Sequence, residues 1–257
     1  MTPWRAGRVF ALMLLLTVAA QYLHEAGHWF VYQALGRQPV WGFIGVVQVW
    51  GETPVDVAGW TPVVTRSGES GWLRVSSDVS GPVEGALAAT GGPLASVFGA
   101  LIGWVVGRRS HNETRRAMGV GLVLTTAVAM GLYYVRSPWR TGGDEQDIAD
   151  ALGIARWPLD AGLGGFFAVI FGVGLLELKS RRARVLWAAL ALVSGPLIGI
   201  ALAGADAVLR QAAARGDPLT VGILGLSLPV ALVGVVGVGL VWVWSRWPLW
   251  SATQRPG

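Results

Sequence analysis

Cysteine is absent from the 257 residues. That excludes disulfides and thiolate metal ligands, so any metal held here must be held by histidine and carboxylate. Histidine is scarce too, with three in the chain, and only 14% of residues are charged. A soluble domain carries about a quarter charged residues, so a long solvated surface is excluded. What fills the chain instead is apolar: 53% hydrophobic residues and a mean hydropathy of +0.53. This is the composition of a polytopic membrane protein with short loops. Several tryptophans stand at segment ends (Trp4, Trp139, Trp187, Trp242, Trp244, Trp247, Trp250), where indole rings favour the membrane interface.

Apolar runs long enough to cross a bilayer, about 17–25 residues, are expected at Val9–Leu35, Gly85–Val106, Ala117–Val135, Ala161–Leu178, Val185–Ala203 and Leu219–Trp244. The first follows a basic start and carries Val18-Ala19-Ala20, as a secretory signal would. Its apolar pattern continues through Trp29, Phe30, Val31 and Leu35, so it reads as an uncut membrane helix. The connection 36–84 is rich in Gly, Pro, Ser and Thr. It holds β-like stretches at Val40–Trp50, Trp60–Arg66 and Trp72–Val79. The connection 136–160 reads as a short helix opened by Asp144 and closed by Gly153. The expected fold is an all-α polytopic membrane protein of about six transmembrane helices, with a small β-like segment between the first and second.

The net charge of +5 is carried mostly by arginines clustered in short loops. They read as topology determinants, not nucleic-acid contacts. With the first helix entering from the cytoplasm, the inner segments hold Arg5 and Arg8; Arg108, Arg109, Arg115 and Arg116; Lys179, Arg181, Arg182 and Arg184; and Arg246 and Arg255. The outer segments hold Arg37, Arg66, Arg74, Arg136, Arg140, Arg156, Arg210 and Arg215, spread over much longer loops. The positive-inside rule then places both termini in the cytoplasm.

Two of the three histidines fall in one pattern, His24-Glu25-Ala26-Gly27-His28. Positions i and i+4 share a helix face, so both imidazoles point the same way, one turn apart. That spacing suits two ligands to one zinc ion, with Glu25 beside them to take a proton from the attacking water. A chance HExxH in this composition has a probability of roughly one in a thousand. The competing reading, two core histidines, is weakened by the cost of placing three ionisable groups within one turn of a membrane segment. His24 lies about fifteen residues into the helix, roughly 22 Å along its axis at about 1.5 Å per residue.

A catalytic zinc takes three protein ligands and keeps one position open. His111 falls in the opposite loop and Glu177 near the inner end of the fourth helix, so topology excludes both. Asp144 is the preferred third ligand, with Asp147 one turn on as the alternative. The two glycines before Asp144 allow close backbone approach. Against this, Asp favours the N-cap, and capping competes with ligation.

HExxH in a membrane helix, then Gly91-Gly92-Pro93-Leu94-Ala95-Ser96 opening the next, then Gly143-Asp144 before a fourth helix, resembles the site-2 protease family of intramembrane zinc metalloproteases. The resemblance spans residues 1–160, a metalloprotease-like core. Residues 161–257 supply three further membrane helices whose role it does not explain. It implies His24, His28 and Asp144 as metal ligands, Glu25 as the base, Zn2+ as cofactor, and membrane-protein substrates cleaved within the lipid bilayer. The chain departs from the family pattern at Ser96, where Asn is common, and at Glu145, where Gly is common. Family members commonly open their site toward the cytoplasm, whereas the charge distribution points outward. The alternative function is a zinc-binding membrane protein, for transport or partner binding, that cleaves nothing. The loops have no room for a folded PDZ-sized insertion, and the sequence carries no mark of an oligomeric state.

Overall fold

The computed structural model describes residues 3–64, 68–139, 142–220, 222–223 and 225–246. Trp247, Trp250, Arg66, Arg140 and Arg255 lie outside them, as do the side chains of Trp4 and Arg5. The elements run α1 (Pro3–Ala34), β1 (Gln48–Trp50), β2 (Thr61–Val64), β3 (Ser70–Leu73), α2 (Pro82–Arg109), α3 (Glu113–Arg136), α4 (Asp144–Leu152), α5 (Trp157–Leu176), α6 (Arg181–Ala214), β4 (Gly222–Ile223), β5 (Leu226–Ser227) and α7 (Leu228–Arg246). All helices except α4 are long and apolar enough to cross a membrane, giving six spans. The fold is the expected all-α polytopic membrane protein.

Local chemistry sets the helix ends. α1 stops at Gly36, whose φ of +72° lets the chain turn back while Arg37 N–H donates to Tyr32 O. Asn112 caps α3 by accepting from Arg115 N–H, and Ser180 caps α6 by accepting from Ala183 N–H. Consecutive spans alternate in direction. The three-stranded sheet (order β1-β3-β2, antiparallel), the helix α4 and the β4–β5 hairpin therefore gather at one end of the bundle. The bridge from Trp41 to Leu226 ties two of these connections together.

α3 is the central span. On one side Val120, Leu124 and Val128 pack with Leu12, Met13 and Leu16 of α1 and with Trp187 and Ala191 of α6. On the other, Val123, Ala127, Met130 and Tyr134 pack with Phe167 and Ile170 of α5 and Ala100 of α2. At the gathered end, Phe43, Val47, Val49 and Trp60 pack on Leu202, Leu209 and Ala213 of α6 and Val230 of α7. α7 buries only Val230 among its described residues and turns Leu232, Val235, Val236 and Val238 outward. Such an apolar exterior suits lipid and not water.

Five expectations are corrected. The fifth span runs to Ala214 instead of Ala203, because Leu209 and Ala213 find apolar partners in the β segment. The sixth starts at Leu228 instead of Leu219, since a short 3-10 turn at Pro218–Thr220 and the β4–β5 hairpin intervene. The stretch Val40–Trp50 is a strand only over Gln48–Trp50, since Gly42 and Gly45 close a turn before it; Trp72–Val79 gives way to Ser70–Leu73. Trp187 is buried on the face of α6 that meets α1 and α3, not placed at an interface.

Candidate metal centre

α1 and α2 cross at contact distance where both carry glycine. A Cβ on Gly27 would collide with Gly91 O, and one on Gly91 with Gly27 O. This approach, the small-residue packing of membrane helices, presses α2 onto the face that carries His24 and His28. Gly92 meets the rings themselves: a Cβ there would strike His28 Nε2 and His24 Cε1. The Gly91-Gly92-Pro93 run thus leaves the two rings the space they occupy.

Each ring is oriented by its other nitrogen. His28 Nδ1 lies 2.7 Å from Ala88 O, so Nδ1–H donates to the carbonyl and Nε2 is turned to Asp144. Gly92 N–H, at 3.4 Å from the same Nδ1, is too long to compete. His24 Nδ1 lies 3.0 Å from Ser96 Oγ, which turns His24 Nε2 toward Asp144 in the same way. The two Nε2 atoms are 3.2 Å apart. Hydrogen bonds of this kind fix the tautomer and direction of metal-binding imidazoles. Ser96, the departure from the family pattern, is therefore a ring-orienting partner, fully buried against His24.

The third member arrives from the connection after α3. Gly143, at φ +112°, is the N-cap of α4 and has no side chain with which to cap. The expected competition between capping and ligation does not arise, because Asp144 is the first helical residue and its carboxylate faces the histidines. Its Oδ2 lies 3.5 Å from His24 Nε2 and 3.4 Å from His28 Nε2. Tyr133 Oη accepts the Asp144 N–H at 3.1 Å. Glu145, with no exposed surface, anchors the first turn of α4 through Ser137 Oγ and an ion pair with Arg156. Burial pushes the Asp144 carboxyl up, but Nε2–H donation and positive charge from the facing imidazoles outweigh it and hold the group below the usual carboxylate range. It is therefore ready as an anion.

His24, His28 and Asp144 thus form a group that could hold a metal ion. Ligands in a tetrahedron with bonds of about 2.0–2.1 Å are separated by about 3.3 Å, which is the scale of the three distances here. Asp147 lines the same cavity but is not in the group. His111 sits in the exposed α2–α3 turn, and Glu177 pairs with Arg116 at the far end of the bundle.

Glu25 is 8% exposed and lines the cavity that contains the histidines and Asp144. Both its oxygens are held: Gln21 Nε2 donates to Oε1 at 2.6 Å and Gly45 N–H donates to Oε2 at 3.1 Å. Gln21 stands four residues before Glu25 on the same helix, a spacing that the sequence alone displays. Gly45 could not be found that way, because a backbone amide leaves no mark in residue type.

Glu145→Ala should cost about 2–3 kcal/mol. That is below the ~3–5 kcal/mol of a buried charge left wholly unpaired, because Asp160 remains 3.4 Å from Arg156. Thermal unfolding in detergent would read the loss, and metal titration should show weakened binding as Asp144 loses its anchor.

No family model, curated protein or solved structure matches the chain.

Proposed function

We propose that the protein is an intramembrane zinc metalloprotease that hydrolyses peptide bonds of membrane-protein substrates. The observation that carries this reading is the convergence of His24 Nε2, His28 Nε2 and Asp144 Oδ2 on one point beside Glu25. The residues suit the ion: two imidazoles and one carboxylate are a common catalytic zinc set, and His24, His28 and Asp144 would hold it. Zinc held there would supply an acidified water and polarise a carbonyl.

The chain's own residues do the rest. Glu25 takes the proton of the attacking water and delivers it to the leaving amine. Gln21 and Gly45 fix the direction in which that carboxylate points. The substrate must be locally unwound, since helical carbonyls are already hydrogen-bonded and shielded. β1 is an outer strand of its sheet, and Gln48 lines the cavity with Gly45 and Val46, so an extended segment added along β1 would pass the histidines. The charge distribution supports cytoplasmic termini and a site opening toward the outer face.

Purified protein should carry about one zinc per chain and cleave a tagged transmembrane substrate in vesicles, in keeping with a three-ligand catalytic site. A chelator should stop cleavage and added zinc should restore it. Cleavage that persists after the metal is stripped would overturn the reading.

A further inference from the structure

One ionisable pair deep in the bundle plays no part in the metal centre. Asp206 and Arg210 lie on α6, inside the span Arg181–Ala214, and Asp206 is 3% exposed. Ionisable side chains inside membrane spans are costly and are kept where they do something. Asp206 Oδ2 pairs with Arg210 Nε at 2.5 Å. Its Oδ1 is turned away from the arginine and accepts two backbone N–H groups, from Phe43 at 3.0 Å and from Ile44 at 3.2 Å. Arg210 Nη2 donates to Ile44 O at 3.4 Å, so the pair grips both ends of Ile44.

Phe43 and Ile44 are the tip of a tight turn closed by Gly42 N–H donating to Gly45 O at 2.8 Å. Two glycines make the turn possible. Gly45 has φ +78°, and a Cβ on Gly42 would lie 2.6 Å from Asp206 Oδ1. The residue after the gripped pair, Gly45, gives its N–H to Glu25 Oε2. A single turn therefore joins the buried carboxylate of α6 to the carboxylate of α1 that faces the metal cavity.

We infer that Asp206 is a positioning residue for Glu25, acting through the Gly42–Gly45 turn. This gives α6, outside the family resemblance, a part in the reaction, and it rests on the proteolytic reading only for its kinetic consequence. Without the Oδ1 acceptor the turn loosens, Gly45 N–H leaves Glu25, and the base samples unproductive directions. The histidines and Asp144 are held by α2 and α4 and keep their geometry. An acceptor oxygen is the requirement, so Asn should serve and Ala should not.

The test compares Asp206→Ala, Asp206→Asn and Gly42→Ala in the full-length chain in vesicles, by amide hydrogen exchange, zinc content and cleavage kinetics. In Asp206→Ala, exchange at the Phe43, Ile44 and Gly45 amides should rise at least about tenfold. Zinc content should hold, and kcat should fall about 10–100-fold with KM little changed. Asp206→Asn should retain most of the protection and most of kcat. Gly42→Ala displaces the same carboxylate from the loop side and should reproduce the Ala phenotype, which keeps the test decisive if Asp206→Ala does not fold. Unchanged exchange in both Asp206→Ala and Gly42→Ala overturns the inference. So does faster exchange with unchanged kcat, or an Asn variant as impaired as Ala. If the unmutated, zinc-loaded protein cleaves nothing, the proteolytic reading fails, while exchange at Gly45 still tests whether Asp206 holds the turn on Glu25.

Discussion

Glu25→Gln is expected to abolish cleavage while leaving zinc content unchanged. Gln is nearly isosteric, so the Gly45 N–H can still donate to the retained amide oxygen. The buried site then loses a basic carboxylate and little packing. Removing a positioned general base costs about 10²–10⁴-fold, and in the proposed reaction the same carboxylate would serve both the attack and the departure of the amine, so the loss should approach the upper end. Metal should stay because Glu25 is outside the ligand group, and the rings remain tethered to Ala88 O and Ser96 Oγ. Cleavage of a reporter substrate and metal analysis on the same preparation give both readings. Undiminished cleavage would remove Glu25 from the base role. Metal-coupled flux or partner binding indifferent to the substitution would favour the non-proteolytic alternative.

How far the sequence reaches differs among the parts of this site. The HExxH spacing is a local property of one helix, and α1 carries it as a turn of that helix would. The third member is a long-range matter. Asp144 was favoured over Asp147 because of the glycines before it. The structure supplies the further reason, that Gly143 takes the cap and leaves the aspartate side chain free. In the sequence Ser96 is only a departure from a pattern; its contact with His24 follows from the crossing of α1 and α2 and not from the residue itself. The ends of the fifth and sixth spans were misjudged where hydropathy alone decided. Residues 204–214 stay helical because Leu209 and Ala213 have partners around Phe43 and Val47, and 218–227 leave the helix to form a turn and hairpin. The Asp206–Arg210 pair is legible as an i, i+4 spacing, but the role of Asp206 is not, since the amides it accepts from stand 163 and 162 positions away.

Gly92→Ala should empty the metal centre without unfolding the bundle. Alanine is the better helix former by about 0.8–1.0 kcal/mol, so α2 itself gains by the change. The difficulty is the destination of the methyl group, between His28 Nε2 and His24 Cε1. Neither ring can step aside freely: His28 would give up its 2.7 Å bond to Ala88 O, and His24 its contact with Ser96 Oγ. Backing α2 away instead would open the Gly27–Gly91 crossing that sets the distance between the helices. Any of these responses breaks the 3.2–3.5 Å triangle of Nε2, Nε2 and Oδ2. Loss of one ring-orienting contact around a metal costs about 10–100-fold in affinity, and displacing a ligand ring should cost at least the upper figure. Competitive zinc titration of the variant, alongside its thermal unfolding without metal, separates the effects. Weakened binding with an unchanged metal-free melting temperature is the expected pair. Full affinity would mean that the glycine is there for helix packing alone and that the metal, if held, is held elsewhere.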